Sequence, residues 1–179
     1  MAFWNQAALE PKRQYKFLLS FPSSANRIES YLVKRVDKPK FTVNAVQHDF
    51  LNHRFFYPGK LVWDPITITV VDIAQQNSAG NMSLRIMDAI KATGYEKPDS
   101  PSNSKGRQTL SKRNSVNLGL GQAKIQTLNA DGDTVDNWVL HNAFITSLEF
   151  GSLDYTVEEL VEITMTFQYD YAVLSAGGS

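Results

Sequence analysis

The chain predicts a mostly β (α+β) fold, and three observations carry that expectation. A stretch near the C-terminus alternates apolar and polar residues with a period of two. Several shorter segments rich in β-branched and aromatic residues lie between turn signals. A single stretch has helical spacing, and one helix among seven or eight strands belongs to the mostly β or α+β class.

The alternation is cleanest from Val161 to Tyr171, where every odd position is apolar or aromatic and every even position is polar. Successive strand side chains point to opposite faces, so this reads as one long strand with a packed face and a wet face. Tyr15 to Phe21 places Tyr15, Phe17, Leu19 and Phe21 on one side. Tyr31 to Val36 and Lys40 to Val46 read as strands, with Pro39 marking a bend or an edge between them. Ile66 to Ile73 is a strand just after Asp64-Pro65. Lys124 to Leu128 and Thr134 to Leu140 flank Asp131-Gly132, a hairpin signal. Ala143 to Phe150 is closed by Gly151. For the helix, Asn81 or Ser83 can cap, Met82, Ile86 and Ile90 form the stripe, and Gly94 stops it. Residues 97–122 turn to Pro, Ser, Asn, Gly and Lys/Arg, which reads as a basic surface loop or insertion within a single domain over 1–179.

Composition excludes several classes. Hydrophobic residues make up 42% and charged residues 20%, near ordinary globular values, so global disorder is not indicated. No apolar run approaches the ~18 residues of a membrane span, and the first residues carry no secretory pattern. The absence of cysteine removes disulfides and thiolate chemistry and suits a reducing cytoplasm. The net charge of zero hides an asymmetry. All 18 Lys and Arg lie between Lys12 and Lys124, whereas nine acids and no base follow, so the two parts carry +9 and −9. Either the parts neutralise each other within one chain, or the asymmetry reflects complementary surfaces on identical subunits.

Catalytic and cofactor patterns are not found. His48, His53 and His141 lack a metal spacing. There is no nucleophile elbow, Walker sequence or dinucleotide fingerprint. Glu158 and Glu159 would point to opposite faces of a strand and cannot share a substrate. We therefore expect no enzyme activity, no catalytic residues, no metal and no cofactor. The stretch 47–60 gathers Phe50, Phe55, Phe56 and Tyr57 beside His53, Arg54 and Lys60. Such a mixture can stack on single-stranded nucleic acid. The favoured reading is a hairpin arm whose aromatics bury against a neighbour, because an exposed patch of this kind is costly in a monomer.

The order of features resembles a family. Phe3-Trp4, Leu9-Glu10-Pro11-Lys12-Arg13, Pro39-Lys40-Phe41, the arm, Trp63-Asp64-Pro65-Ile66-Thr67-Ile68-Thr69, one helix and the strand ending at Tyr171 are similar to the tail tube proteins of contractile, myovirus-type phages. More distantly they are similar to the tube proteins of type VI secretion and contractile injection systems. The resemblance covers about Tyr15 to Tyr171 and leaves the insertion without a counterpart. It implies a small β-barrel of two packed antiparallel sheets with one flanking helix. It also implies homo-hexameric rings, stacked into a tube inside a sheath on a baseplate, in a virion tail assembled from protein made in the host cytoplasm. Phage DNA would pass through the lumen without specific binding, and no membrane partner is implied. On that account Phe50, Phe55, Phe56 and Tyr57 form an inter-ring arm. Glu162, Thr164, Thr166, Gln168 and Asp170 face the lumen, and the bases near Lys105, Arg107, Lys112 and Arg113 stay outside. The competing readings are a tube initiator or baseplate protein, a secretion-system tube, and a monomeric β-barrel that binds a small ligand or single-stranded nucleic acid.

Overall fold

The structure, a computed structural model, describes residues 10–21, 28–76, 80–95, 109–117, 120 and 122–177. Strands β1 (Phe17–Ser20), β6 (Ala123–Leu128), β7 (Thr134–His141) and β10 (Tyr171–Ala176) form one antiparallel sheet in the order β1-β6-β7-β10. Strands β2 (Val33–Val36), β5 (Ile66–Val71), β9 (Glu162–Gln168) and β8 (Phe144–Glu149) form a second, in the order β2-β5-β9-β8. Each buries alternate residues: Ile66, Ile68 and Val70 from β5, Ile163, Met165 and Phe167 from β9, and Ala123 and Ile125 from β6. These side chains join one core between the sheets, with Leu19 of β1 and Leu140 of β7. Helix α1 (Met82–Ala92) adds Met82, Ile86 and Ala89 to the buried set, with Ile90 packed against the core. Asn81 is its cap, its side chain accepting from the Leu84 N–H at 3.0 Å. Ser83 instead donates its hydroxyl to Asp72 at 2.7 Å. Gly94 ends the helix at φ +115, and a Cβ there would come within 2.7 Å of the Thr109 carbonyl oxygen.

Three sequence expectations are corrected. The stretch from Val161 to Tyr171 is not one strand: β9 ends at Gln168, Tyr169 and Asp170 make a corner, and β10 then pairs with β7 in the opposite sheet. Alternation continues across the corner, so the change of sheet leaves no mark on the pattern. The expected floppy tail from Ser175 starts later, because Ser175 and Ala176 pair with Asn137 and Asp136. Finally, residues 97–122 are not all loop: Lys112–Asn117 form a short helix, α2. Lys105 and Arg107 lie outside the described residues.

Candidate functional site

The aromatic stretch forms a hairpin arm. Among the described residues, strands β3 (Phe41–Phe50) and β4 (His53–Trp63) pair only with each other. Every residue of the pair is exposed except Trp63, which is half-buried. The base is fixed by aromatic contacts. Phe41 meets Trp63 edge-on at 5.2 Å, and Trp63 lies 5.9 Å from buried Tyr169 at the sheet-crossing corner. The Asp64 N–H donates to the Lys40 carbonyl at 3.0 Å and closes the root. A bulge between Val43 and Ala45 turns the outer part of the hairpin, and Gly59 is required there: a Cβ would sit 2.7 Å from the Asn44 carbonyl oxygen.

Beyond the bulge, pairing sorts the four arm aromatics. Val46, His48 and Phe50 stand opposite Tyr57, Phe55 and His53, and so share one face. Phe56 stands opposite Gln47 on the other face, beside the Asp49–Arg54 pair at 3.2 Å. Phe50, Phe55 and Tyr57 are thus brought together, while Phe56 points away from them. His48 and His53 belong to the aromatic face, and among the described residues no cluster of three or more His, Cys, Asp or Glu side chains is arranged for a metal. At the tip, Leu51 has φ 51 and is 86% exposed. Two-residue hairpin turns favour glycine at such a position, and a leucine there is disfavoured by conformation and by exposure alike.

The second candidate region is the outer face of the β2-β5-β9-β8 sheet. Register places Thr164 between Thr69 and Glu149, and Thr166 between Thr67 and Ser147. Glu162 and Gln168 lie at either end of the same row, so four of the five expected residues share a face. Asp170 does not lie on the strand; it sits in the corner beyond it.

Ion pairs link the basic and acidic parts of the chain. Lys34 pairs with Glu162, and that hydrogen bond raises the Lys34 ammonium above its ordinary value. Lys12 pairs with Asp136. Burial pushes the Asp136 carboxyl up, but the hydrogen bond from Lys12 and the charge of Lys38 outweigh that and hold it low. Lys112 of α2 donates to both oxygens of Asp170 at 2.7 Å, and Asn142 donates at 2.8 Å. The Lys112 bond first, then that of Asn142, holds Asp170 below the usual carboxylate range. Asp170 and Lys112 therefore stand on the same side of the molecule. The charge asymmetry is in part an internal neutralisation.

A region that the sequence did not single out is the connection from Phe150 to Leu160. It is exposed throughout, Leu153 at 87% and Tyr155 completely, with Val157 and Leu160 beside them. Glu158 and Glu159, expected at a strand end, lie in this connection, and among the described residues no strand pairing covers them.

No protein-family model and no curated protein sequence matches the chain. Solved structures do. A chain of the sheath-tube complex of the PVC extracellular contractile injection system, in the extended state, matches with a TM-score of 0.66 and 18% identity, covering 98% of this chain and 99% of that one. A chain of the tube-terminating cap of the anti-feeding prophage gives a TM-score of 0.68 at 18% identity, covering 98% and 99%. One from the baseplate of that prophage gives 0.65 at 13%, covering 94% and 97%. The likeness is one of fold. It runs nearly end to end in each pair, so the two sheets, the helix and the connections between them form the architecture used by chains of contractile injection assemblies.

Proposed function

We propose that this protein is a tail tube subunit: a structural, non-enzymatic protein that forms hexameric rings and stacks them into a hollow tube within a contractile tail. The observation that carries this reading is the hairpin of 41–63, a stretch of paired strand with no cover on either face, on a fold shared end to end with chains of contractile injection assemblies. A monomer gains nothing from such an arm, and a stack of copies buries it. The aromatic face of Phe50, Phe55 and Tyr57 makes the contact between rings, with Phe56 supporting it from the other face. Open edges at β1, β2, β8 and β10 are completed by neighbours within the ring.

The row Glu162, Thr164, Thr166 and Gln168 lines the lumen. Hydroxyls and amides offer no cation to phosphate, and the two bases on this face, Lys34 and Arg35, are paired with Glu162 and Asp37, so DNA would slide past with little retention. Asp170 joins the lumen rim only together with Lys112, as a neutral pair. Sheath and baseplate proteins would contact the outside, and the assembly would be a virion tail made from protein synthesised in the host cytoplasm. Electron microscopy of the purified protein tests the proposal. Long stacks support a tube subunit. Single rings that never stack indicate a terminator or initiator, and a monomer at every concentration contradicts the reading. A structure of the ring with Thr164 and Thr166 on its outer wall would remove the lumen assignment.

A further inference from the structure

We infer that the 150–160 connection is the receptor on which the hairpin arm of the next copy docks. The inference rests on the stacked-tube reading and names the surface that reading leaves unassigned.

The first argument is placement. In the β5–β9 pair, Ile66 stands opposite Phe167 and Val71 opposite Glu162. The arm leaves at the Ile66 end, where Trp63 and Asp64 precede the strand. The 150–160 connection leaves at the other end, where the Asp72 N–H donates to the Val161 carbonyl at 2.9 Å. The two features are separated by the full length of β5, about 17 Å at ~3.4 Å per residue. Copies stacked along the strand direction in one orientation present the arm of each to the connection of the next. Such a head-to-tail contact repeats without closing, as a tube requires.

The second argument is chemistry. Both surfaces are apolar and uncovered: Phe50, Leu51, Phe55 and Tyr57 on the arm, Leu153, Tyr155, Val157 and Leu160 on the connection. The connection is one wall of an open cradle of about 900 Å³, whose other wall is the Glu162–Thr164 end of the lumen row; the arm docks on the wall of Leu153, Tyr155, Val157 and Leu160. Their charges are complementary. The connection carries Asp154, Glu158 and Glu159 without a base, while the arm carries Arg54 and Lys60 against Asp49 alone, with His48 and His53. The left-handed Leu51 at the tip fits the same account, since a strained, exposed leucine gains its burial only on docking.

The cysteine-free sequence allows a direct test. Phe55→Cys and Tyr155→Cys are made in separate chains, mixed under stacking conditions and treated with a short bismaleimide. Crosslinked dimers should be about tenfold or more enriched in the mixture over either variant alone, because docking raises the local concentration of the pair. Leu153→Ser with Tyr155→Ser should leave rings intact and abolish stacks. Stacks that form while the mixture gives no excess crosslink overturn the inference and leave the tube reading standing; a wild type that never stacks overturns both. Binding of a single-stranded oligonucleotide that Phe55→Ala abolishes, with stacking unchanged, assigns the arm to nucleic acid and also overturns it.

Discussion

Strands β4 and β5 are separated by two residues, Asp64 and Pro65, yet they live in different environments. β5 has partners on both edges and alternates buried with half-buried residues; β4 has one partner and exposes almost every side chain. Both are rich in residues that favour strands. The difference teaches that strand propensity and burial are separate properties. β5 is stabilised by the core of its own chain, whereas β4 presents Phe55, Phe56 and Tyr57 in advance of any partner. Among the described residues its position is held at the root, by Phe41, Trp63 and Tyr169.

That contrast can be broken from the core side. Phe167, fully buried and 6.0 Å from Phe21, should cost about 3–5 kcal/mol when changed to alanine, measured by urea unfolding of the subunit. Thr164→Pro removes a ladder donor from β9, which is paired on both edges, and should destabilise the fold by a few kcal/mol. If the chain tolerates it with an unchanged midpoint, β9 is not a central strand. A smaller effect attends acid. Asp136 has a lowered carboxyl pKa, so its contribution is present above the unfolded value of about 3.9 and is lost as pH falls through the folded value. Stability of the wild type should therefore decline more steeply than that of Asp136→Asn below about pH 4; parallel declines would contradict the assignment. The smallest effect on stability is expected in the arm. Phe55→Ala with Phe56→Ala should shift unfolding by no more than about 0.5 kcal/mol while shortening stacks seen by microscopy. Loss of the folded subunit would place these rings in the core instead.

Much of the barrel was legible because one buried face imposes a period of two. Ile66, Ile68 and Val70, or Ile163, Met165 and Phe167, announce their strands without help. The hairpin at Gly132, with φ +93, and the helix between Asn81 and Gly94 were legible because turn and cap chemistry is local. The corner at Tyr169 and Asp170 was not: Tyr171 keeps the alternation but is exposed, and its partner His141, stacked at 4.5 Å, belongs to the other sheet. Which sheet a strand joins is decided by distant residues. The Phe150 to Leu160 connection was missed for the converse reason. Leu153, Tyr155, Val157 and Leu160 look like core by type, and only the fold shows that nothing among the described residues covers them. The arm was legible as a concentration of aromatics that suits a hairpin, but its strand bounds and the sorting of its aromatics between faces were hidden, because neither strand has an inward face to reveal its period. The Lys112–Asp170 pair, 58 residues apart in the chain, had no signal beyond the overall charge asymmetry.

The central claim is that the barrel is a self-sufficient unit and the arm exists for the next copy. Replacing residues 44–60 by a two-residue Asn-Gly turn, which closes on the Val43–Leu61 pair, removes the arm from its bulge outward and leaves Phe41, Trp63 and the core in place. Electron microscopy of this variant beside the wild type is the most direct test. The account predicts stacked tubes from the wild type, and folded subunits or single rings, without stacks, from the variant. Tubes of ordinary length from the variant, or a wild type that is monomeric at every concentration, would contradict it.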